Sequence, residues 1–403
     1  MDNYLIRIIP LLVFFIIFYK SFKKNNKIAM CIISVYLVSS FSSLFIIQED
    51  LRLHDFKTDS VFYIMIYTII HGFFLSLTLY LKPFTSVDQL PKGRVYNWLI
   101  VVFSIAAIFS IIYLTPYAII SLSTSAYDVR TAGEEVLPSS YLTTIAVGFP
   151  SFYYVYVFMF YVALIKKKKL NAIVASLGVL SFVVNVLTIS GRDGIFLAFY
   201  SLVLGFFCFE PLLTYKLKKR VKKYFLISII LGILPIIKIT IDRFSQDGTF
   251  TFMAFKKGIV NYLGMQPFIF SDWLKDNLIF NGGANAFSFF VNKKPVEYYE
   301  YYTWNFGTYL ASFYGVGGYL SLFGLSALFY FIFRYVIKKA YGFSTISIFF
   351  FYGFFMHYMI SGVFYFRLGT RGGNLFMFIS LLLIVFLKKL GVKYKRTSIN
   401  IDK

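Results

Sequence analysis

The chain has 403 residues, of which 59% are hydrophobic and 14% are charged, and its mean hydropathy is +0.72. A soluble globular domain is about half apolar and about a quarter charged, so this composition excludes an ordinary soluble enzyme or binding domain. The formal net charge of +22 is not evidence for a nucleic-acid partner, because the basic residues are confined to short clusters between long apolar runs.

Eleven apolar runs follow one another along the chain. Each is about twenty residues long, which lets a helix cross about 30 Å of hydrocarbon. None alternates apolar and polar residues at every second position, so we predict helices rather than the strands of a barrel. The predicted fold class is all-α, a polytopic membrane helix bundle that forms a single integral membrane domain over residues 1–403. The runs lie at 4–20, 28–48, 60–81, 96–116, 141–165, 170–189, 195–214, 224–240, 307–333, 343–363 and 374–388.

The distribution of basic residues orients these helices. One set of alternate loops, together with the C-terminal tail, holds 26 of the 40 basic residues and three of the 18 acidic ones. Because lysine and arginine collect in cytoplasmic loops, we predict that this side faces the cytoplasm and that the N-terminus lies outside. The other side is nearly neutral. Membrane topology therefore accounts for the net charge, and we predict no nucleic-acid partner.

Arginine is concentrated at the edges of the predicted outer loops, whereas lysine dominates the cytoplasmic ones. The guanidinium group is a planar, permanently charged fork that binds two phosphate oxygens at once. Several arginines at the membrane boundary therefore predict a site for a lipid diphosphate. The alternative is that each one reaches for lipid headgroups or pairs with a nearby carboxylate. The candidate diphosphate-binding residues are Arg130, Arg192, Arg243, Arg367 and Arg371.

Carboxylates close to these arginines are the candidate general bases. They are Glu135, Asp193 and Asp242, and ion pairing with the neighbouring arginine is the alternative for each. The predicted outer loops contain no Asp-x-Asp pair, and His54 is their one histidine, so we predict no metal site and no cofactor. A leaving diphosphate would then have to be neutralised by cationic side chains alone.

The large predicted outer loop at residues 241–306 mixes apolar and charged residues. The stretches Phe250–Leu263 and Phe268–Phe280 are typical of short helices that lie on a membrane surface. An aromatic cluster near the end of the loop fits either an interfacial belt or a sugar-stacking platform, since an aromatic face packs on the C–H face of a pyranose. The candidate sugar-stacking residues are Tyr301, Tyr302 and Trp304.

Three features together resemble the Wzy-type polymerases, which join oligosaccharide repeat units of O-antigen, capsule or exopolysaccharide. One is the Ser190–Gly194 turn that precedes a span, and another is the layout, with a large outer loop in the C-terminal half and arginines outside. The third is the segment Tyr314-Gly315-Val316-Gly317-Gly318, which is similar to an aromatic–Gly–x–x–Gly segment of these polymerases. Phe313 stands where the family often has an acidic residue. The large loop lacks the histidine that related O-antigen ligases use there, which favours a polymerase.

The resemblance implies a metal-independent glycosyltransferase with a GT-C-like fold in the bacterial inner membrane, its active site facing the periplasm or cell exterior. Its substrates would be oligosaccharides on undecaprenyl diphosphate, and its partners a chain-length regulator and a flippase. An O-antigen ligase and a lipid-linked oligosaccharide flippase or other transporter remain open alternatives. The glycines at 315, 317 and 318 would serve either close helix packing or a groove for the lipid.

Overall fold

The computed structural model describes residues 4–46, 61–123, 137–138, 140–189, 191, 193–244, 252, 256–276, 283, 286–291 and 307–390. These residues form helices and connecting turns, and they include no β-strand apart from a single bridge between Thr308 and Tyr365. The predicted all-α fold class is therefore confirmed.

The helices of the described residues follow the apolar runs. They are α1 (Tyr4–Lys23), α2 (Lys27–Ser43), α3 (Val61–Thr78), α4 (Arg94–Ser123), α5 (Tyr141–Ile165, with a 3₁₀ turn at Phe149–Phe152), α6 (Lys169–Leu187), α7 (Asp193–Phe209), α8 (Tyr215–Phe244), α9 (Gln266–Asp276), α10 (Thr308–Lys338), α11 (Thr345–Gly362) and α12 (Arg371–Phe386). A π-helical turn at Lys256–Asn261 and a helical turn at Tyr262–Gly264 precede α9.

Eight of these helices are long and apolar enough to cross a membrane, which makes the chain a multi-pass membrane protein. They are α3, α4, α5, α6, α7, α10, α11 and α12. The other three predicted spans coincide with α1, α2 and α8. The count of about eleven crossings stays a prediction, as does the orientation of the bundle.

Polar residues mark several helix starts. Asn26 begins α2 by accepting a hydrogen bond from the Ala29 amide at 3.1 Å, and Ser140 begins α5 in the same way with Thr143 at 3.1 Å. Such caps satisfy amides that have no partner inside the helix. The local sequence therefore fixes these boundaries before any tertiary packing.

The described residues divide into two compact units, and neither is continuous in sequence. The first unit is built from parts of residues 1–81, 237–334 and 356–374. The second is built from parts of residues 82–236, 335–355 and 375–403. Helices α8, α10, α11 and α12 each contribute residues to both units.

The second unit is a bundle of regular helices packed through aromatic side chains. The Tyr156 hydroxyl on α5 donates to the Phe103 carbonyl on α4 at 2.8 Å. Gly178 on α6 lies directly against the Tyr156 ring, where a larger side chain would overlap it. The rings of Tyr153 and Phe182 stack at 3.9 Å. The many aromatic residues of the sequence produce this tight ring packing.

In the first unit, part of the large loop is inserted between helices. A methyl group built on Gly264 would lie 2.5 Å from the backbone of Ser42 and Ser43, so the loop touches the end of α2 directly. Phe268, Ile269 and Phe270 are at most 1% exposed. The predicted helical character is confirmed for residues 256–264 and 266–276, but a position on the membrane surface is wrong for the first turn of α9. Three consecutive buried residues leave that turn no free face for a membrane.

Helix α10 is a hairpin rather than one straight rod. Gly317 and Gly318 have non-helical backbone angles, and Gly318 has φ +65° and ψ −146°. The Phe74 ring on α3 contacts Tyr309 at 5.7 Å and Tyr330 at 6.0 Å. In a straight helix these two tyrosines would be about 30 Å apart along the axis. The chain therefore reverses at the two glycines.

The reversal gives α10 a short arm, residues 308–316, and a long arm, residues 319–338. The Ser321 hydroxyl lies 2.6 Å from the Phe313 carbonyl and 2.9 Å from the Gly318 carbonyl, so the arms are joined by a side chain. The short arm begins at Thr308, which is 1% exposed and has φ +65°. The sequence suggests close helix packing or a lipid groove as the role of Gly317 and Gly318. In the structure these two glycines form the reversal of the chain itself.

Candidate functional site

The turn between α11 and α12, residues 364–374, contains two of the five predicted arginines. The buried Asn374 amide donates to the carbonyls of Ala286 and Leu368, at 3.0 and 2.6 Å. The same side chain accepts from the Phe289 amide at 3.0 Å. Ser288 adds a hydrogen bond of 2.5 Å to the Gly369 carbonyl. One segment of the large loop, of which residues 283 and 286–291 are described and which we call segment 283–291, is therefore fastened to this turn.

Arg367 is 8% exposed and is held in place within the turn. Its guanidinium donates to the Tyr365 hydroxyl at 2.9 Å. The Thr370 hydroxyl donates to the Arg367 carbonyl at 3.0 Å, and Gly373 approaches the same carbonyl so closely that no side chain fits there. The position of this cation is thus set by the turn and not by a flexible loop.

Arg371 is exposed and is the first residue of α12. The Thr370 hydroxyl accepts from the Gly373 amide at 3.0 Å and caps this helix. A helix N-terminus carries about half a positive charge, which adds to the charge of an arginine placed there. The combination favours a bound anion such as a phosphate group.

The apex of α10 packs against this turn within the first unit. The Phe313 ring lies 5.1 Å from the Phe366 ring, and the Thr308 amide donates to the Phe364 carbonyl at 3.0 Å. On the other side, Val316 is within reach of Gly283 in the loop segment. We call the turn 364–374, the segment 283–291 and the apex 313–319 together the turn cluster. It joins the arginines to the glycine-rich segment of α10.

Arg7 is a further cationic residue, and it lies inside the first apolar run, residues 4–20. It is 3% exposed, and its guanidinium donates to the Ile46 carbonyl at 2.7 Å. It also lies 4.8 Å from the centre of the Phe268 ring, a cation–π contact. Arg7 therefore connects α1 and the end of α2 to the inserted loop helix α9. An arginine in an apolar run is the signal that pointed to it.

A buried polar path runs through the first unit. Gln266 accepts from the Ser39 hydroxyl at 3.2 Å, and the nearby Tyr67 hydroxyl has no hydrogen-bond partner in the described part of the chain. The Tyr67 ring lies 4.5 Å from the His71 ring, which is fully buried. Neither ring nitrogen of His71 has a hydrogen-bond partner among the described residues. The ring contacts are those expected of a packing residue, yet an unsatisfied imidazole within a span is costly.

Asp193 lies in the second unit, as the first residue of α7. The Gly191 amide donates to the Val186 carbonyl at 3.0 Å, and Gly191 and Gly194 both press against the Val186 side chain. The predicted tight turn is present in the described part of this segment. A carboxylate at a helix start is stabilised by the helix dipole, which accounts for Asp193 without a catalytic role.

The remaining predicted site residues divide into two groups. Asp242 and Arg243 lie in the last turn of α8, in the first unit, and their side chains lie outside the described parts of the structure. The others lie wholly outside the described residues, and they are Arg130, Glu135, Arg192, Tyr301, Tyr302 and Trp304. Of the predicted set, the structure brings Arg367 and Arg371 together in one turn.

Within the described ranges, no three His, Cys, Asp or Glu side chains lie close enough to hold a metal ion. Among the described residues of the turn cluster itself, the charged side chains are those of Arg367 and Arg371. No family model matches the chain, and the comparisons with curated proteins and with solved structures found no match either.

Proposed function

We propose that this protein is a membrane glycosyltransferase that polymerises oligosaccharide repeat units carried on undecaprenyl diphosphate. One observation carries the proposal. Arg367 and Arg371 lie in a rigid turn that is packed against the apex of α10, where the segment similar to that of Wzy-type polymerases is found. This arrangement suits a substrate with a diphosphate group and a long apolar chain, because it combines cations with membrane-spanning helices.

The reaction is a displacement at the anomeric carbon of the donor. A hydroxyl oxygen of the acceptor sugar forms the new glycosidic bond, and the bond from the anomeric carbon to the phosphate oxygen breaks. The electron pair of that bond leaves with undecaprenyl diphosphate, whose growing negative charge is stabilised by Arg371 and Arg367. The proton of the acceptor hydroxyl passes to a carboxylate, for which Asp242 is the candidate that belongs to the same unit as the two arginines. No metal ion is needed in this scheme.

The test replaces Arg371 and Arg367 separately by alanine in a strain that depends on this chain. Removing one charge-stabilising donor typically lowers a rate by about 10²- to 10³-fold. We therefore expect the ladder of surface polysaccharide on a gel to collapse to a single repeat unit while the protein remains abundant by immunoblot. Arg334→Ala is the matched control, since Arg334 lies near the other end of α10 beside the Tyr330 ring at 6.0 Å. A full ladder in both variants would contradict diphosphate binding and indicate that these arginines only contact lipid headgroups.

The second candidate function is a lipid-linked oligosaccharide flippase or another transporter. Two observations favour it: the break in α10 within a candidate span, and the buried His71. Broken helices and buried ionisable residues are common in transporters. The same gel separates the two functions. Loss of polymerisation leaves single repeat units at the surface, whereas loss of transport removes them as well.

A further inference from the structure

The apex of α10 brings three tyrosines together. The rings of Tyr314 and Tyr319 meet edge to face at 5.3 Å. Tyr63, the third residue of α3, lies close enough to both tyrosines to interact with their hydroxyl groups. Residues five apart in a straight helix point in different directions. Only the reversal of the chain between them places these two rings in contact.

The backbone conformation that makes this contact requires glycine. Gly318 has φ +65° with ψ −146°, a region that side chains with a Cβ atom rarely adopt. Gly317 has an extended φ of −167° and needs no such explanation. A strained residue persists where the surrounding structure determines it, and here it fixes the relative position of Tyr314 and Tyr319.

Part of this aromatic cluster is open to the surroundings. Tyr319 is 38% exposed and Phe323 is 48% exposed, and their rings lie nearly parallel, with an angle of 19° and a centroid distance of 6.4 Å. Tyr314, in contrast, is 3% exposed, and its ring packs against the Tyr319 ring. The apex thus presents two aligned aromatic faces beside a pair of hydroxyl groups.

This surface has the mixed chemistry of a sugar contact. A lipid chain would contact the aromatic faces but has no polar group to offer the hydroxyls of Tyr63 and Tyr319. A pyranose has an apolar C–H face for the rings and hydroxyls for the tyrosine oxygens. The position is also suitable, because Tyr63 lies at the start of a candidate membrane span, where amphipathic rings are stable.

We propose that Tyr319, Phe323 and Tyr63 form a binding surface for a sugar of the lipid-linked oligosaccharide, the sugar next to the diphosphate. The inference rests on the proposed function for the identity of the ligand. It is connected to the arginine turn through direct packing, since Phe313 contacts Phe366 and Val316 approaches Gly283. A glycolipid whose diphosphate lies at Arg371 would then have its first sugar beside the apex.

The test uses photo-crosslinking of the full chain in lipid nanodiscs. Benzoylphenylalanine replaces Tyr319 in one protein and Tyr335 in the matched control. Tyr335 is 52% exposed and lies towards the opposite end of the same arm. Each is irradiated with lipid-linked oligosaccharide extracted from the strain, with undecaprenyl diphosphate, or with phosphatidylglycerol alone, and the adducts are identified by mass spectrometry. We expect the glycolipid adduct at position 319 to exceed the undecaprenyl diphosphate adduct several-fold, with no such preference at position 335.

Equal labelling by all three lipids at position 319 would overturn the inference, because the tyrosines would then be an ordinary interfacial belt. A binding series provides the second measurement. Loss of a stacked ring is expected to weaken glycolipid binding about three- to tenfold in Tyr319→Leu, while Tyr335→Leu binds as the unaltered protein does. Unchanged binding in Tyr319→Leu would contradict the proposal as well.

Both measurements record binding and not polymerisation, so they separate the two proposals. If the chain makes no polymer but the glycolipid is preferred at position 319, the sugar-binding surface is supported and the proposed reaction is contradicted. If the chain polymerises without that preference, the proposed reaction is supported and the sugar-binding surface is contradicted.

Discussion

The two units of this protein differ in how regular their backbones are. In the second unit, α4 to α7 are regular apart from a 3₁₀ turn in α5, and they pack through rings and glycines such as Gly178. The first unit contains a helix that reverses at Gly318, a loop inserted against α2 and a nearly buried arginine, Arg7. Irregular backbone within a membrane is tolerated where it is enclosed by protein or lines a site. We therefore expect the first unit to carry the proposed function and the second to be mainly structural.

The largest effect on stability and on the polymer ladder is expected for Asn374→Ala, because Asn374 lies in the irregular first unit. Three partners lose their hydrogen bonds, two of them in buried bonds, and at about 1 kcal/mol for each the unfolding free energy should fall by about 3 kcal/mol. Thermal unfolding of the protein in detergent measures this loss. We also expect no polymer ladder, since the arginine turn is released from segment 283–291. A stable variant with a normal ladder would mean that the turn does not depend on Asn374.

The next effect is expected for Gly318→Ala. A Cβ atom at φ +65° costs about 1–3 kcal/mol, so the apex should distort and the ladder should shorten strongly. Gly324→Ala is the matched control on the same arm, because a Cβ atom at Gly324 meets no atom within 4 Å and its φ is not in the left-handed region. We expect that control to unfold and polymerise as the unaltered chain does. Equal behaviour of the two variants would remove the argument for a strained apex.

A smaller effect is expected for Arg7→Ala. The Ile46 carbonyl loses a charged donor and the Phe268 ring loses its cation, which together should cost about 2 kcal/mol. The inserted helix α9 should then open more readily, and limited proteolysis should cut within residues 256–276 at lower protease concentration. Arg7→Lys keeps the charge but not the planar fork, so it should restore only part of the protection. Protection unchanged in Arg7→Ala would show that α9 is held by its apolar contacts alone.

The smallest effect is expected for Tyr156→Phe in the second unit. It removes one hydrogen bond, to the Phe103 carbonyl, and should lower the unfolding free energy by about 1 kcal/mol. Activity per folded molecule should not change. A clear loss of polymer in this variant, measured at equal protein abundance, would break the distinction between a functional and a structural unit.

The sequence predicts the parts of this fold that depend on local pattern. All eleven apolar runs coincide with helices, and caps such as Asn26 and Ser140 mark where helices begin. The closeness of Arg367 and Arg371 is also local, since they are four residues apart. These features need no knowledge of distant contacts.

The missed features depend on contacts between distant residues. Both arms of α10 are apolar and helical, so hydropathy gives one continuous span, and only the contacts of Phe74 with Tyr309 and Tyr330 reveal the reversal. In the same way, the mixed composition around Phe268 fits a surface helix as well as an inserted one. The tyrosine cluster at Tyr63 and Tyr319 combines residues far apart in sequence, so no local pattern identifies it.

The short arm of α10 has a consequence for the biogenesis of the protein. Nine residues are too few for the translocation machinery to recognise as a membrane span, since about twenty are needed. The Thr308 amide, which begins the arm, is bonded to the Phe364 carbonyl, and that residue follows α11. While the ribosome is still synthesising α11, the arm therefore lacks the partner that holds its first residue. Because the arginine turn, residues 364–374, also follows α11 in the chain, the site proposed here can be completed only after α11 has been synthesised.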